Sequence, residues 1–163
     1  MYSLVDMNLL NKVSDILKKQ HLTIATAESC TGGLIAHTLT NISGSSEYFD
    51  RGVISYSNTA KIELLGVPEK ILQQYGAVSE QTAQAMAQGI RTRAHVDIGL
   101  ATTGIVGPTG GTKDKPIGLV YVAVATEKKV MVKRFLFSGD RLQNKEYTCT
   151  TALSLLLETI EQG

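Results

Sequence analysis

The residues from Leu22 to Ala27 form an apolar, β-type run. It stops abruptly at Glu28-Ser29-Cys30-Thr31-Gly32-Gly33, and an apolar, helix-like segment from Leu34 to Leu39 follows. A strand that feeds a helix through a turn of small residues belongs in a sheet covered by helices, which makes this stretch the strongest constraint on the fold. Ser29 falls inside the turn. Backbone N–H groups at such a turn and in the first helical turn have no partners of their own, so they can donate to a phosphate or a developing oxyanion. A serine here is placed like a nucleophile. Ser29 or Thr31 can equally serve only as an N-cap, with the glycines permitting close packing.

The remaining chain repeats the strand-helix alternation. Leu9, Leu10, Val13, Ile16 and Leu17 recur at helical spacing and predict an amphipathic helix over about 8–20. Residues 41–50 read as a polar loop holding the neighbouring aromatics Tyr48 and Phe49, which could stack on a ring or close the edge of the core. Gly52–Tyr56 is a β-type run, and Asn58 or Thr59 can cap a helix reaching Leu65. Val67-Pro68 breaks that helix, a short one follows near Glu69–Gln74, and an Ala-rich helix spans about Glu80–Ala94. Ala83, Met86, Ala87 and Ile90 form a small-residue stripe on it that suits close approach to a sheet. Val96–Thr103 is an apolar strand, and 104–116 is too rich in Gly and Pro to be anything but loop. Ile117–Thr126 and Val130–Ser138 predict an antiparallel hairpin closed at Glu127-Lys128-Lys129. Asp140 caps a last helix to about Glu161 that buries Leu153, Leu156, Leu157 and Ile160. The class is α/β, with a mostly parallel sheet covered on both faces.

Composition narrows the function. A chain of 163 residues, 43% hydrophobic, is expected to be one soluble domain. A formal net charge of +1 supplies no basic field, so nucleic acid is not the expected partner. No apolar run approaches the roughly 20 residues of a membrane span, and no leader pattern is present at residue 1, so a cytoplasmic location is expected. Cys30 and Cys149, the 2 cysteines, are in no metal-binding spacing and read as reduced thiols. No metal is implied.

Three strands end in residues capable of chemistry: Glu28 to Gly33, Tyr56-Ser57-Asn58 leading to Lys61, and Thr103-Gly104 leading into the glycine-rich loop. Ligands of open parallel sheets bind where such loops gather, so all three are expected at one edge. A serine hydroxyl needs a base to become a nucleophile. His21, His37 and His95 do not fall at that edge, which leaves Lys61. It can act only if burial or a nearby cation lowers its pKa; otherwise it is a solvated helix lysine. Tyr56 could relay the proton, hold the lysine amine, or be an edge core residue. Cys30 is a rival nucleophile or a small buried side chain. The glycine-rich loop fits neither the P-loop nor the G-x-G-x-x-G pattern, though its N–H groups can form an anion nest.

The motifs T-A-E-S-C-T-G-G-L-I-A, G-V-I-S-Y-S-N-T-A-K, T-T-G-I-V-G-P-T-G-G-T with K-P-I-G-L-V-Y-V-A, and S-G-D-R together resemble the CinA C-terminal domain family over nearly the whole chain. The resemblance implies a stand-alone form within 1–163, without the N-terminal domain of fused members. It also implies a three-layer α/β/α sandwich with a mixed five-stranded sheet, order 2-1-3-4-5 and strand 4 antiparallel. Stand-alone members hydrolyse nicotinamide mononucleotide to nicotinate mononucleotide and ammonia without a metal or other cofactor, in pyridine nucleotide salvage. Carried over by position, Ser29 resembles the nucleophile, Lys61 the base and Tyr56 the residue beside them. Thr31, Gly32 and Gly33 would frame the oxyanion with their N–H groups. Glu28, Tyr48, Thr103, Gly104, Gly110 and Gly111 are expected at the substrate, with Arg141 clamping its phosphate. The family often has alanine at Val106 and Gly-Gly at Arg51-Gly52, which are tolerable loop changes. Lys145 stands near where it commonly places a second arginine and keeps the charge but loses the bidentate fork. A homo-oligomer is expected. The alternative is a catalytically silent nucleotide-binding or interaction module; a phosphotransferase fits poorly without a P-loop or acidic metal ligands.

Overall fold

A computed structural model describes residues 5–163 of the chain. Asp6 caps α1 (Met7–Lys19), accepting from the Asn8 and Leu9 N–H groups, and Leu10, Val13 and Leu17 are buried along one stripe. Then come β1 (Ile24–Glu28), α2 (Leu34–Leu39), a 3-10 turn at Ser45–Glu47, β2 (Phe49–Ile54), α3 (Asn58–Leu65), α4 (Glu69–Tyr75) and α5 (Glu80–Ala94). β3 (Ile98–Gly104), β4 (Leu119–Ala125), β5 (Val130–Leu136) and α6 (Arg141–Gln162) complete the order.

The five strands lie in the order β2-β1-β3-β4-β5. β1 is parallel to β2 and β3, while β4 is antiparallel to both β3 and β5, so β4 alone runs against the rest. This is the mixed sheet that the resemblance implies. The two faces of the sheet differ in side-chain size. Toward α1, α2 and α6 it presents Ile24, Ile98, Leu100, Val120, Val122 and Val124. Toward α5 it presents Ala25, Ala27, Ala101, Ala123 and Ala125, met by Ala83, Met86, Ala87 and Ile90 of the helix. Small residues on both sides let α5 sit very close. At Gly99 an added Cβ would lie 2.1 Å from the Ala87 carbonyl oxygen, which only glycine avoids.

β2 departs from expectation: it starts at Phe49, inside the stretch read as loop, and stops at Ile54 rather than Tyr56. The cause lies in its neighbour. The Ile24 N–H takes the Tyr48 carbonyl at 2.7 Å, so pairing with β1 begins there, ahead of the apolar run. β4 likewise begins at Leu119 and not Ile117, because Gly118 adopts φ 92° and the Leu119 N–H turns back to the Pro116 carbonyl. The other boundaries lie within about two residues of those predicted.

Candidate active site

The turn after β1 is anchored by Glu28. Gly33, in the left-handed region, occupies the N-cap position of α2 and offers no side-chain cap. The fully buried Glu28 carboxylate caps the helix from the strand end instead. Its Oε1 accepts from the Ile35 N–H at 2.8 Å and the Thr31 hydroxyl at 2.6 Å, and its Oε2 from the Ala36 N–H at 3.1 Å. A carboxylate at a helix N-terminus is electrostatically well placed. Neither Ser29 nor Thr31 is the N-cap, and Glu28, expected at the substrate, is committed to the turn. The Thr31 hydroxyl also lies 2.8 Å from that of Thr102 on β3.

Ser29 and Lys61 come together. Ser57 Oγ caps α3 by accepting from the Ala60 N–H, displacing the predicted Asn58 or Thr59. Lys61, in the first turn, then points inward and is only 1% exposed. Its Nζ lies 3.0 Å from Ser29 Oγ, 2.9 Å from the Ser55 carbonyl oxygen and 3.1 Å from the Tyr56 carbonyl oxygen. Among the described residues no carboxylate pairs with it. Burial holds its pKa below the ordinary 10.5, with Cys30 acting weakly in the opposite direction. The solvated-lysine alternative is therefore wrong. Tyr56 does hold the amine, but through its carbonyl; its hydroxyl reaches the other way, to Arg141.

Arg141, first residue of α6, joins the second loop to the third. It donates from Nη2 to the Tyr56 hydroxyl at 3.2 Å and from Nη1 to the Gly107 carbonyl at 2.7 Å. All three predicted loops thus meet at one edge of the sheet. Lys145, one turn further along α6, reaches the Ser29 turn: a Cβ built on Gly32 would lie 3.5 Å from its Nζ. A cavity of about 460 Å³ opens beside Arg141, lined by Val106, Pro108, Ile117 and Leu142 among others.

Other expected site residues do different work. Tyr48 is fully buried and donates its hydroxyl to the Leu39 carbonyl at 2.5 Å, so it closes the core edge and reaches no ligand. The buried Thr103 hydroxyl is spent on the Ala77 carbonyl at 2.8 Å. Gly104 packs against Val120 and the Leu119 carbonyl, while Gly110 and Gly111 lie exposed in the loop. The Gly32 N–H bonds the Ser29 carbonyl within the turn, and among the described residues the Thr31 and Gly33 N–H groups have no acceptor. Cys30 is buried, and burial pushes its thiol up to about 12, which removes it as a nucleophile at neutral pH. His21 and His95 sit in the connections before β1 and β3, away from the edge, as expected.

Sequence reasoning missed Ser55, Thr102 and Asn144. Asn144, fully buried, donates from Nδ2 to the Val106 and Gly139 carbonyls and accepts from the Gly139 N–H, pinning the glycine-rich loop to the start of α6. A polar side chain in the first turn of an otherwise amphipathic helix is the one signal that could have revealed it.

The sheet order and the buried serine-lysine pair define an open α/β protein with a candidate site at the strand ends. The chain belongs to the CinA C-terminal domain family, whose family model matches residues 6–160. It is 51% identical over 159 residues to a CinA-like protein of Syntrophus aciditrophicus, covering 97% of this chain and 38% of that relative. A CinA-like protein of Chloroherpeton thalassium is 51% identical over 164 residues, covering 98% and 39%. The chain thus spans about two fifths of the length of these curated relatives. Among solved structures, the competence/damage inducible protein CihA from Agrobacterium tumefaciens superposes with TM-score 0.90 at 40% identity, over 96% of this chain and 98% of that one. A CinA superfamily protein from Klebsiella pneumoniae gives TM-score 0.92 at 33% identity, over 96% and 98%.

Proposed function

We propose that the chain is a serine-lysine amidase that hydrolyses the carboxamide of nicotinamide mononucleotide to nicotinate mononucleotide and ammonia. The observation that carries this reading is the set of partners around Lys61 Nζ. A neutral amine has two N–H bonds and one lone pair. The Ser55 and Tyr56 carbonyls can only accept, so they take the two N–H bonds and leave the lone pair for the Ser29 hydroxyl. Burial without a carboxylate favours that neutral form.

In the reaction Lys61 removes the Ser29 proton while Oγ attacks the carboxamide carbon. The free N–H groups of Thr31 and Gly33 receive the oxyanion in this reading, while the Gly32 N–H stays on the Ser29 carbonyl. When the tetrahedral adduct collapses, the C–N bond breaks and Lys61 returns the proton to the departing ammonia. Water, deprotonated by the same amine, then hydrolyses the acyl-serine. Arg141 and Lys145 have no acidic partner among the described residues and are the groups that can meet a substrate phosphate. The chain would act in pyridine nucleotide salvage as a homo-oligomer.

The test is ammonia release from nicotinamide mononucleotide by wild type and by folded Ser29→Ala. Release by wild type alone supports the amidase. Tight binding of the mononucleotide with no ammonia from either would replace it with the silent nucleotide-binding module.

A further inference from the structure

Glu28 and Thr31, on either side of Ser29, are tied inward by one run of hydrogen bonds. The Thr31 hydroxyl spends its single proton on Glu28 Oε1, at 2.6 Å, so the 2.8 Å contact between Thr31 and Thr102 must be donated by Thr102. The Thr102 proton is then used. The direction is fixed from end to end: Thr102 to Thr31, Thr31 to the Glu28 carboxylate. All three residues are buried, and so is Cys30. The run ends on an acceptor that also takes the N–H groups of Ile35 and Ala36, so α2 is clamped by the same group.

We propose that Glu28 is a positioning residue for Ser29: by terminating this hydrogen-bond run it holds Thr31 and the start of α2 inward, with Cys30 buried between Ser29 and Thr31, so that the Ser29 hydroxyl meets Lys61 and the Thr31 and Gly33 N–H groups stay free. This rests on the reading of Ser29 as nucleophile. A glutamine at position 28 cannot replace the carboxylate, because its amide nitrogen would confront the N–H of Ala36 with a second donor.

The test uses the full chain and a readout independent of turnover. Glu28→Gln, Thr31→Val and Thr31→Ser are treated, folded, with a small thiol reagent, and labelling at Cys30 and Cys149 is followed separately by mass spectrometry. Cys149, on α6, is buried against Thr38 of α2 and serves as the comparison within the same molecule. Glu28→Gln is expected to speed Cys30 labelling about 10-fold or more while Cys149 stays at the wild-type rate. Thr31→Val should behave alike, and Thr31→Ser, which restores the hydroxyl, should recover most of the protection. Where wild type turns over nicotinamide mononucleotide, kcat of Glu28→Gln should fall about 10-fold with KM within about 2-fold, since the turn and not the substrate contact is altered. Unchanged Cys30 labelling in folded Glu28→Gln would overturn the proposal. So would equal acceleration at both cysteines, which marks a general loss of stability. A wild type that releases no ammonia defeats the amidase reading alone, and the labelling still decides the role of Glu28.

Discussion

The two ends of the sheet solve the problem of polar residues in opposite ways. At the end where β1, β2 and β3 finish, Glu28, Ser29, Thr31, Ser55, Lys61, Thr102 and Thr103 are all buried, and a lysine amine and a carboxylate both hydrogen bond to the turn that holds one serine. At the other end a cavity of about 350 Å³ is lined by Gln20, Leu22, Arg91, Asp97, Thr126 and Lys128 among others. There the charged groups are exposed or half-exposed: Asp97 simply accepts from the Thr23 N–H and hydroxyl, and Arg91 donates to the Asp97 carbonyl. Both ends offer concave space. Only one carries the desolvation of ionisable groups, a cost a fold retains where the groups have something to do. Hollow volume is a poor guide to the site here; buried polarity is a good one.

That contrast can be broken most severely at Lys61. Lys61→Ala should lower kcat for ammonia release by about 100- to 10,000-fold, the usual worth of a positioned base. A folded variant that kept full turnover would erase the distinction between the ends. Next in size is Arg141→Ala, expected to raise KM for the mononucleotide about 10- to 100-fold, as for a lost charge-assisted phosphate contact. Lys145→Ala should raise it less. Comparing KM for the mononucleotide and its phosphate-free riboside checks both, because neither variant should change the riboside KM.

A smaller effect concerns pH. The Lys61 pKa in the folded chain lies below 10.5. Between that lowered value and 10.5 the unfolded chain binds the extra proton, so stability contributed at this site rises with pH; below it the full cost of burying the ammonium is felt. The urea midpoint of wild type relative to Lys61→Met should therefore improve as pH climbs through the window, and kcat should rise as pH passes the lowered pKa and level off above it. The smallest effect belongs to the other end. Asp97→Ala should cost on the order of 1 kcal/mol or less in denaturant unfolding and leave kcat unchanged, since its bonds are exposed.

Much of the fold was legible because the deciding signals are local. The turn after β1, the Ala-rich stripe of α5 and the 104–116 loop are each written in a few neighbouring residues. β2 was misread because its first residues, Phe49-Asp50-Arg51, pair with β1 without an apolar pattern of their own, β2 being a largely exposed edge strand. At the site, residue types identified Ser29 and Lys61, but side-chain direction was beyond reach. Nothing in the order of residues shows that Tyr56 offers its carbonyl to Lys61 and its hydroxyl to Arg141. Nor does it show that Glu28 turns toward α2, or that Tyr48 is sealed in the core; those outcomes depend on partners distant in sequence.

The most direct test of the central claim is an NMR titration of Lys61 itself, following its side-chain ε resonances in the wild-type chain and in Ser29→Ala. A Lys61 that loses its proton at a lower pH than the remaining lysines, with a titration point moved by removing the Ser29 hydroxyl, is the predicted result. A Lys61 that titrates with the other lysines and ignores Ser29→Ala would contradict the serine-lysine account.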